Sequence, residues 1–212
     1  MIVTDGELTG LSAISGGGGL PDIPVRVSGV GDAQEAMQGL KKKGVVTPGG
    51  ELTTFGFLPV KAVEEYRNAE RHLVFNQLRA SVNPDGALTV LRPVSGGWDL
   101  SRKAPVELVL VLLDAYPFLR GGGPDSEPGP WQKLSAQDWA LGREGGPELV
   151  VRTLEGWSKV LSVVAFDERR GMGFEFDLRG GAGRVTPLWR VRVHVAKLVG
   201  LENPVLGVGR GT

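Results

Sequence analysis

Few residues in this chain are of a type that could do chemistry, and their spacing decides how far each reading goes. The 212 residues include two histidines, His72 and His194, and no cysteine, which removes disulfides, thiolate nucleophiles and Cys-ligated zinc or iron–sulfur centres. A metal site built on two histidines needs carboxylates at ligand spacing, and the sequence holds none, so no metal is expected. Glu175 and Asp177 stand two apart and project to one face of a strand, as paired acid–base carboxylates would. Solvated acids on any half-exposed sheet give the same pattern. Ser28, Ser95 and Ser101 lack the strand–turn–helix context of an activated nucleophile. Val25-Arg26-Val27-Ser28-Gly29-Val30-Gly31 ahead of a helix invites a dinucleotide, because glycines let a pyrophosphate approach the backbone. Gln34 stands where the third glycine belongs and no parallel βαβ series follows, so the segment reads as a tight turn and no cofactor is expected.

Charge excludes little else. Lys and Arg number 24, as do Asp and Glu, so no net field draws nucleic acid or an anionic membrane. The longest apolar run, around Leu108 to Leu113, is far short of the ~20 residues of a bilayer span. Met1 leads into Ile2-Val3-Thr4-Asp5 rather than a basic and then apolar leader, so a cytoplasmic protein with no membrane association is expected.

The elements that position these residues are organised by a duplication. Pro59 is followed by a helical pattern in Val60, Val63 and Tyr66, a β-rich run from Arg71 to Val82, the turn Asn83-Pro84-Asp85-Gly86, a further β-run to Arg92, and Gly96-Gly97. Pro147 opens Leu149, Val150, Thr153 and Leu154 in the matching place, then a β-run from Trp157 to Phe166, a turn over Asp167 to Gly171, a β-run to Leu178, and Gly180-Gly181. Each glycine pair is followed by a proline, Pro105 or Pro187. We read one domain over 1–212, with pseudo-repeats at 59–119 and 147–201, an N-terminal extension over 1–58 and a linker over 120–134. The fold class expected is α+β, an internally duplicated unit with antiparallel sheet and flanking helices.

Local signals fill in the extension and the joins. The segment Leu8 to Gly19 ends in four glycines, a flexible join that lets a short N-terminal element dock separately. Pro24 to Ser28 is a short strand signal. Asp32 with Glu35 reads as a capping box for a helix over 33–43, closed by Lys41-Lys42-Lys43 and Gly44. Val45 to Leu52 reads as a turn with extended flanks. Ala104 to Tyr116 reads as a helix ended by Pro117, and Ser135 with Asp138 as the start of a short helix carrying Trp139. Val191, Val193 and Val195 alternate as in a strand, yet the duplication predicts a helix over 188–200.

The order of these features resembles the EspG family, cytosolic chaperones of ESX (type VII) secretion systems. The resemblance lies in Leu20 to Val27 running into Gly31-Asp32-Ala33-Gln34-Glu35, in Gly39 to Val46 with the following Gly-Gly turn, and in the duplicated helix, hairpin, strand and helix unit. It covers most of the chain by layout, and the chain is short for the family around the second linker and the C-terminal helices. The resemblance implies α/β/α layers of quasi-twofold symmetry about a central antiparallel sheet. It also implies a non-enzymatic task, shielding the apolar helical tip of secretion substrates of the PE/PPE type until export.

The residues themselves point to an interaction protein. Five tryptophans exceed what a core of this size needs, and aromatics at partly wet positions suit a protein-binding surface. The partner-binding surface expected from alternation and turn placement comprises Met172, Phe174 and Phe176 with Trp157, and Asn83 and Asp85 of the first turn. Four other readings stay open: a regulatory or immunity-type scaffold, self-association through an edge strand, a winged-helix-like DNA-binding unit using Lys41 to Lys43, and a small-molecule enzyme.

Overall fold

A computed structural model describes residues 1–23, 30–120, 126–133, 149–156, 159–167 and 171–201. The chain is α+β, and every strand pairing with a described register is antiparallel. It parts into two compact units, Met1–Lys103 with Leu154–Lys159, and Ala104–Thr153 with Val160–Thr212.

The first unit holds β1 (Ile2–Val3), α1 (Asp5–Ile14), α2 (Val30–Lys42), α3 (Thr54–Asn68), β2 (Arg71–Phe75), β3 (Leu78–Val82), β4 (Leu88–Val94) and β5 (Gly97–Lys103). Its strands lie in the order β1-β5-β4-β3-β2. The three helices bury Leu8, Leu11, Leu40, Val63 and Tyr66 against Leu91 and Leu100, a directly opposed pair on β4 and β5. The second unit contains α4 (Pro105–Ala115), a 3-10 turn (Pro117–Arg120), β6 (Gln132–Lys133), β7 (Leu149–Glu155), β8 (Lys159–Asp167), β9 (Met172–Asp177), β10 (Ala182–Thr186) and α5 (Leu188–Leu198). Here the strand order is β7-β8-β9-β10-β6.

The strands β2 to β5 run into α4, which starts at Pro105, and β7 to β10 run into α5, whose N-cap is Pro187. The tail is helical as expected, because Val191, Val195 and Ala196 form one buried stripe. Leu149 to Leu154 is corrected from a helical pattern to the strand β7: Leu149, Val151 and Thr153 alternate inward with Val150 and Arg152 between them. This β-branched run suits a pleated surface better than a helix. Pro59 does not open its helix either. It lies in the second turn of α3, whose N-cap is Thr53, with Oγ1 accepting from the Gly56 N–H at 2.9 Å.

Two further expectations change. α2 begins at Val30, so Asp32 sits inside its first turn, favourable to the helix dipole, and is not the cap. Its other end follows the sequence. Gly44 has φ +70, its N–H bonds to Lys41 O at 3.0 Å and that of Val45 to Leu40 O at 2.9 Å, a Schellman ending. The glycine run after α1 is not a loose join. Gly16, Gly17 and Gly18 all have positive φ, and the Arg67 guanidinium of α3 donates to the carbonyls of Ser12, Ser15 and Gly17, the last at 2.7 Å. The short strand expected over 24–28 and the short helix around Trp139 lie outside the described residues.

α1 and α2 meet through a buried acid. Glu7 accepts the Thr4 N–H at 2.7 Å in a capping box and pairs with Lys43. A Cβ at Gly39 would lie 2.1 Å from Glu7 Oε1, so only glycine leaves room for this carboxylate. Gly56 is equally constrained, since a Cβ there would stand 1.9 Å from the Val45 carbonyl oxygen. We expect Gly56→Ala to destabilise the protein by about 1–3 kcal/mol, whereas Gly31→Ala, in open space on α2, is neutral or slightly stabilising. Denaturant titration of the two variants checks this.

Candidate partner-binding surfaces

The start of α3 exposes a cluster of large apolar side chains. The Thr53 cap and the close approach of Gly56 to Val45 fix the rotation of the first turn, with Val60, Val63 and Tyr66 directed inward. Phe55, Phe57 and Leu58 then face outward at 58%, 55% and 68% exposure. Ile2 and Leu52 are also exposed. Phe55, Phe57, Leu58 and Pro59 border a cavity of about 370 Å³ that Met1, Ala62 and Leu100 complete, with Lys61, Glu65 and Arg102 among its polar lining. These polar groups are already networked, Lys61 and Arg102 each pairing with Glu65, at 3.9 and 3.4 Å. The arrangement is an apolar centre with a charged rim, the anatomy of a protein interface.

The turn residues of the expected surface do structural work in the same unit. Asn83 is 3% exposed, its Nδ2 donating to Glu65 Oε2 at 3.0 Å and Thr89 Oγ1 at 3.1 Å, while its backbone closes the turn through Ala87 and Gly86. Asp85 accepts the Ala87 N–H at 3.1 Å and pairs with Arg102. That backbone N–H, followed by Arg102, holds the Asp85 carboxyl below its usual range. Trp157 lies outside the described residues.

In the second unit, Phe174 and Phe176 share one face of β9 and stack at 6.3 Å between centroids and 11° between planes. Both are half-buried, and Met172 at the strand start is more exposed. They line a small groove with Pro130, Gln132 and Val185. The opposite face of β9 carries Gly173 and Glu175 beneath α5, where a Cβ at Gly173 would meet Val191 Cγ2 at 2.7 Å. Glu175 is buried and accepts from Arg184 Nε at 2.6 Å, with Arg190 Nε at 3.5 Å and His194 Nδ1 at 3.6 Å. Asp177 instead accepts the Arg179 N–H at 3.0 Å in the following turn. The two acids therefore hold separate structural partners.

The remaining candidates are also engaged. His72 is buried in β2, with Nε2 2.6 Å from Tyr66 O and Nδ1 2.9 Å from Gly156 O. The ring of Tyr66 meets it edge-on, and its hydroxyl donates to Pro21 O at 3.0 Å. Lys41 donates to Pro48 O at 2.8 Å and Lys43 pairs with Glu7. Trp98 donates to Asp5 and Trp189 to Ser126 O, while Trp131 is exposed beneath the Arg184 guanidinium. Among the described residues no group of three His, Asp or Glu side chains could hold a metal, and no helix is long and apolar enough to cross a membrane.

A helix started at Pro59 leaves Phe55, Phe57 and Leu58 in a loop, so the α3 surface is not visible from the proline signal alone. Thr53 three residues ahead of Gly56 was the signal that could have found it.

A family model described as "Domain of unknown function (DUF5081)" matches residues 4–132, more than half of the chain, and the chain belongs to that family. No curated protein matches it.

Burial pushes the His72 imidazole below its ordinary 6.5, and the Tyr66 and Gly156 carbonyls, which would accept from a protonated ring, offset this only in part. A depressed folded-state pKa means that the unfolded chain binds the proton more readily. The stability contributed is full above pH ~6.5 and is lost as pH falls from there through the folded value. Imidazole titration by NMR should place His72 below 6.5, and a higher value overturns this reading.

Proposed function

We propose that this chain is a cytoplasmic, non-enzymatic adaptor that binds an apolar helical segment of a partner protein. In its specific form, suggested by the EspG-like layout, it is a chaperone that keeps secretion substrates of the PE/PPE type soluble for ESX export. The observation that carries the reading is the exposed Phe55, Phe57 and Leu58 on one turn of α3, beside an apolar cavity rimmed by Lys61, Glu65 and Arg102. Fully burying side chains of this kind contributes about 1.5–3 kcal/mol each, and aromatic anchors within a polar rim dominate interface energies. An amphipathic helix presents anchors three or four residues apart, which suits a surface of this kind. The paired β9 aromatics Phe174 and Phe176, with Met172, offer a second, smaller apolar surface.

Co-expression with a PE–PPE-type pair should give a stable complex on size-exclusion chromatography. Phe57→Asp combined with Leu58→Asp should weaken it by more than about tenfold with little change in melting temperature, because both side chains are mostly exposed. Phe174→Ala with Phe176→Ala measures the share of the β9 surface. Assembly that survives both double variants unchanged removes the adaptor reading at these surfaces.

A further inference from the structure

The α3 surface has two parts that suit one another. Phe55, Phe57 and Leu58 stand along one side of a groove, each more than half exposed. Met1, Ala62 and Leu100 line the hollow beside them. A patch with projecting side chains next to a hollow can meet its own copy about a twofold axis, the projections of each entering the groove of the other. The rim charges permit this contact. Lys61 and Arg102 both pair with Glu65, and Arg102 also with Asp85. With both signs present, two copies meet without the like-charge penalty that a rim of one sign would impose.

Area sets how strong such a contact is. The three side chains offer roughly 300 Å² of apolar surface per copy, the scale at which an exposed patch is often functional. With the groove walls and rim included, a twofold pair buries on the order of 1,000 Å², the low end for a specific interface. Obligate dimers bury more than about 2,000 Å². The contact is therefore weak and exchangeable. A membrane is the poorer occupant, because interfacial helices carry Lys and Arg along their polar face, whereas α3 places Glu64 and Glu65 beside Lys61.

We propose that two copies of this chain cover the α3 surface mutually when no partner is bound, and that the helical partner displaces the second copy. This regulation rests on the adaptor reading, since it puts both occupants on one surface. It keeps the apolar cluster out of water until the partner arrives.

Analytical ultracentrifugation of the full chain from about 1 to 200 µM should show a monomer–dimer equilibrium with Kd of about 1–100 µM. Phe57→Asp with Leu58→Asp should weaken the dimer at least about tenfold, and acids near the start of α3 suit its dipole. Val106→Asp with Leu110→Asp, at exposed apolar positions of α4, should leave it unchanged. The chain has no cysteine, so a short bis-maleimide should link two copies of Leu58→Cys and not of Leu110→Cys, which keeps the test decisive if the double aspartate variant does not fold. Adding a PE–PPE-type pair should convert dimers into complexes that hold one copy of this chain. A chain monomeric throughout, monomers that co-sediment with anionic vesicles, or a dimer that is neither weakened by the aspartates nor linked through Leu58→Cys overturns the self-contact and leaves the adaptor reading standing. Dimers that bind the pair without separating overturn the shared surface. A dimer formed through Leu58 by a chain that does not bind the pair keeps the self-contact and removes the adaptor reading instead.

Discussion

The carbonyl of Val45 is the node on which the first unit turns. It accepts the Thr53 N–H at 3.0 Å and lies against the backbone of Gly56, so the end of α2, the 46–52 turn and the start of α3 are tied at one point. The Schellman ending at Gly44 delivers Val45 there, and the bridge between Val46 and Leu52 returns the chain to it. Once the first turn of α3 is pinned, its rotation is no longer free. Val60, Val63 and Tyr66 enter the core, and Phe55, Phe57 and Leu58 are left outside. The exposure of that cluster is thus a geometric consequence of a backbone contact that no residue with a Cβ could make.

Buried polar groups follow a common rule in both units. Glu7, His72, Asn83 and Glu175 are all out of solvent, and each is held by specific partners rather than aimed into a cleft. An unpaired buried group costs about 1–3 kcal/mol, more if charged, so a side chain that has found its partners is doing structural work. This is why the residues that first invite a chemical reading turn out to be structural: Glu175 and the two histidines lie at contacts between strands and helices, and Asp177 closes the turn after β9. The surfaces that remain for function are apolar, and among the described residues the buried side-chain atoms without a hydrogen-bond partner are few: Oγ1 of Thr153 and Thr186, and ring or guanidinium nitrogens of Arg190, Arg192 and His194 on α5.

Much of the local structure was legible in the residues. Gly44 after three lysines stops α2, Pro105 and Pro187 begin α4 and α5, and Asn83 to Gly86 makes its turn. Each is a rule acting over a few residues, where a cap, a fixed φ or a missing Cβ decides the backbone. Misreadings arose where two local rules competed. Leu149 to Leu154 satisfies helical spacing and β-propensity at once, and strand pairing settled it. Pro59 is tolerated inside α3 although proline usually marks a helix start.

The sequence alone determined the α+β class, the Gly44 ending of α2, the proline-led starts of α4 and α5 and the Asn83–Gly86 turn, because these depend on neighbours within one or two turns of chain. Only the tertiary structure decided which apolar residues are covered, that Arg67 clamps the glycine turn 50 residues earlier, and that Glu175 pairs with Arg184 of β10 and Arg190 of α5 rather than standing poised beside Asp177. Periodicity states which side chains share a face. Whether that face meets water, a helix or a cavity is set by chain that arrives from far away in sequence.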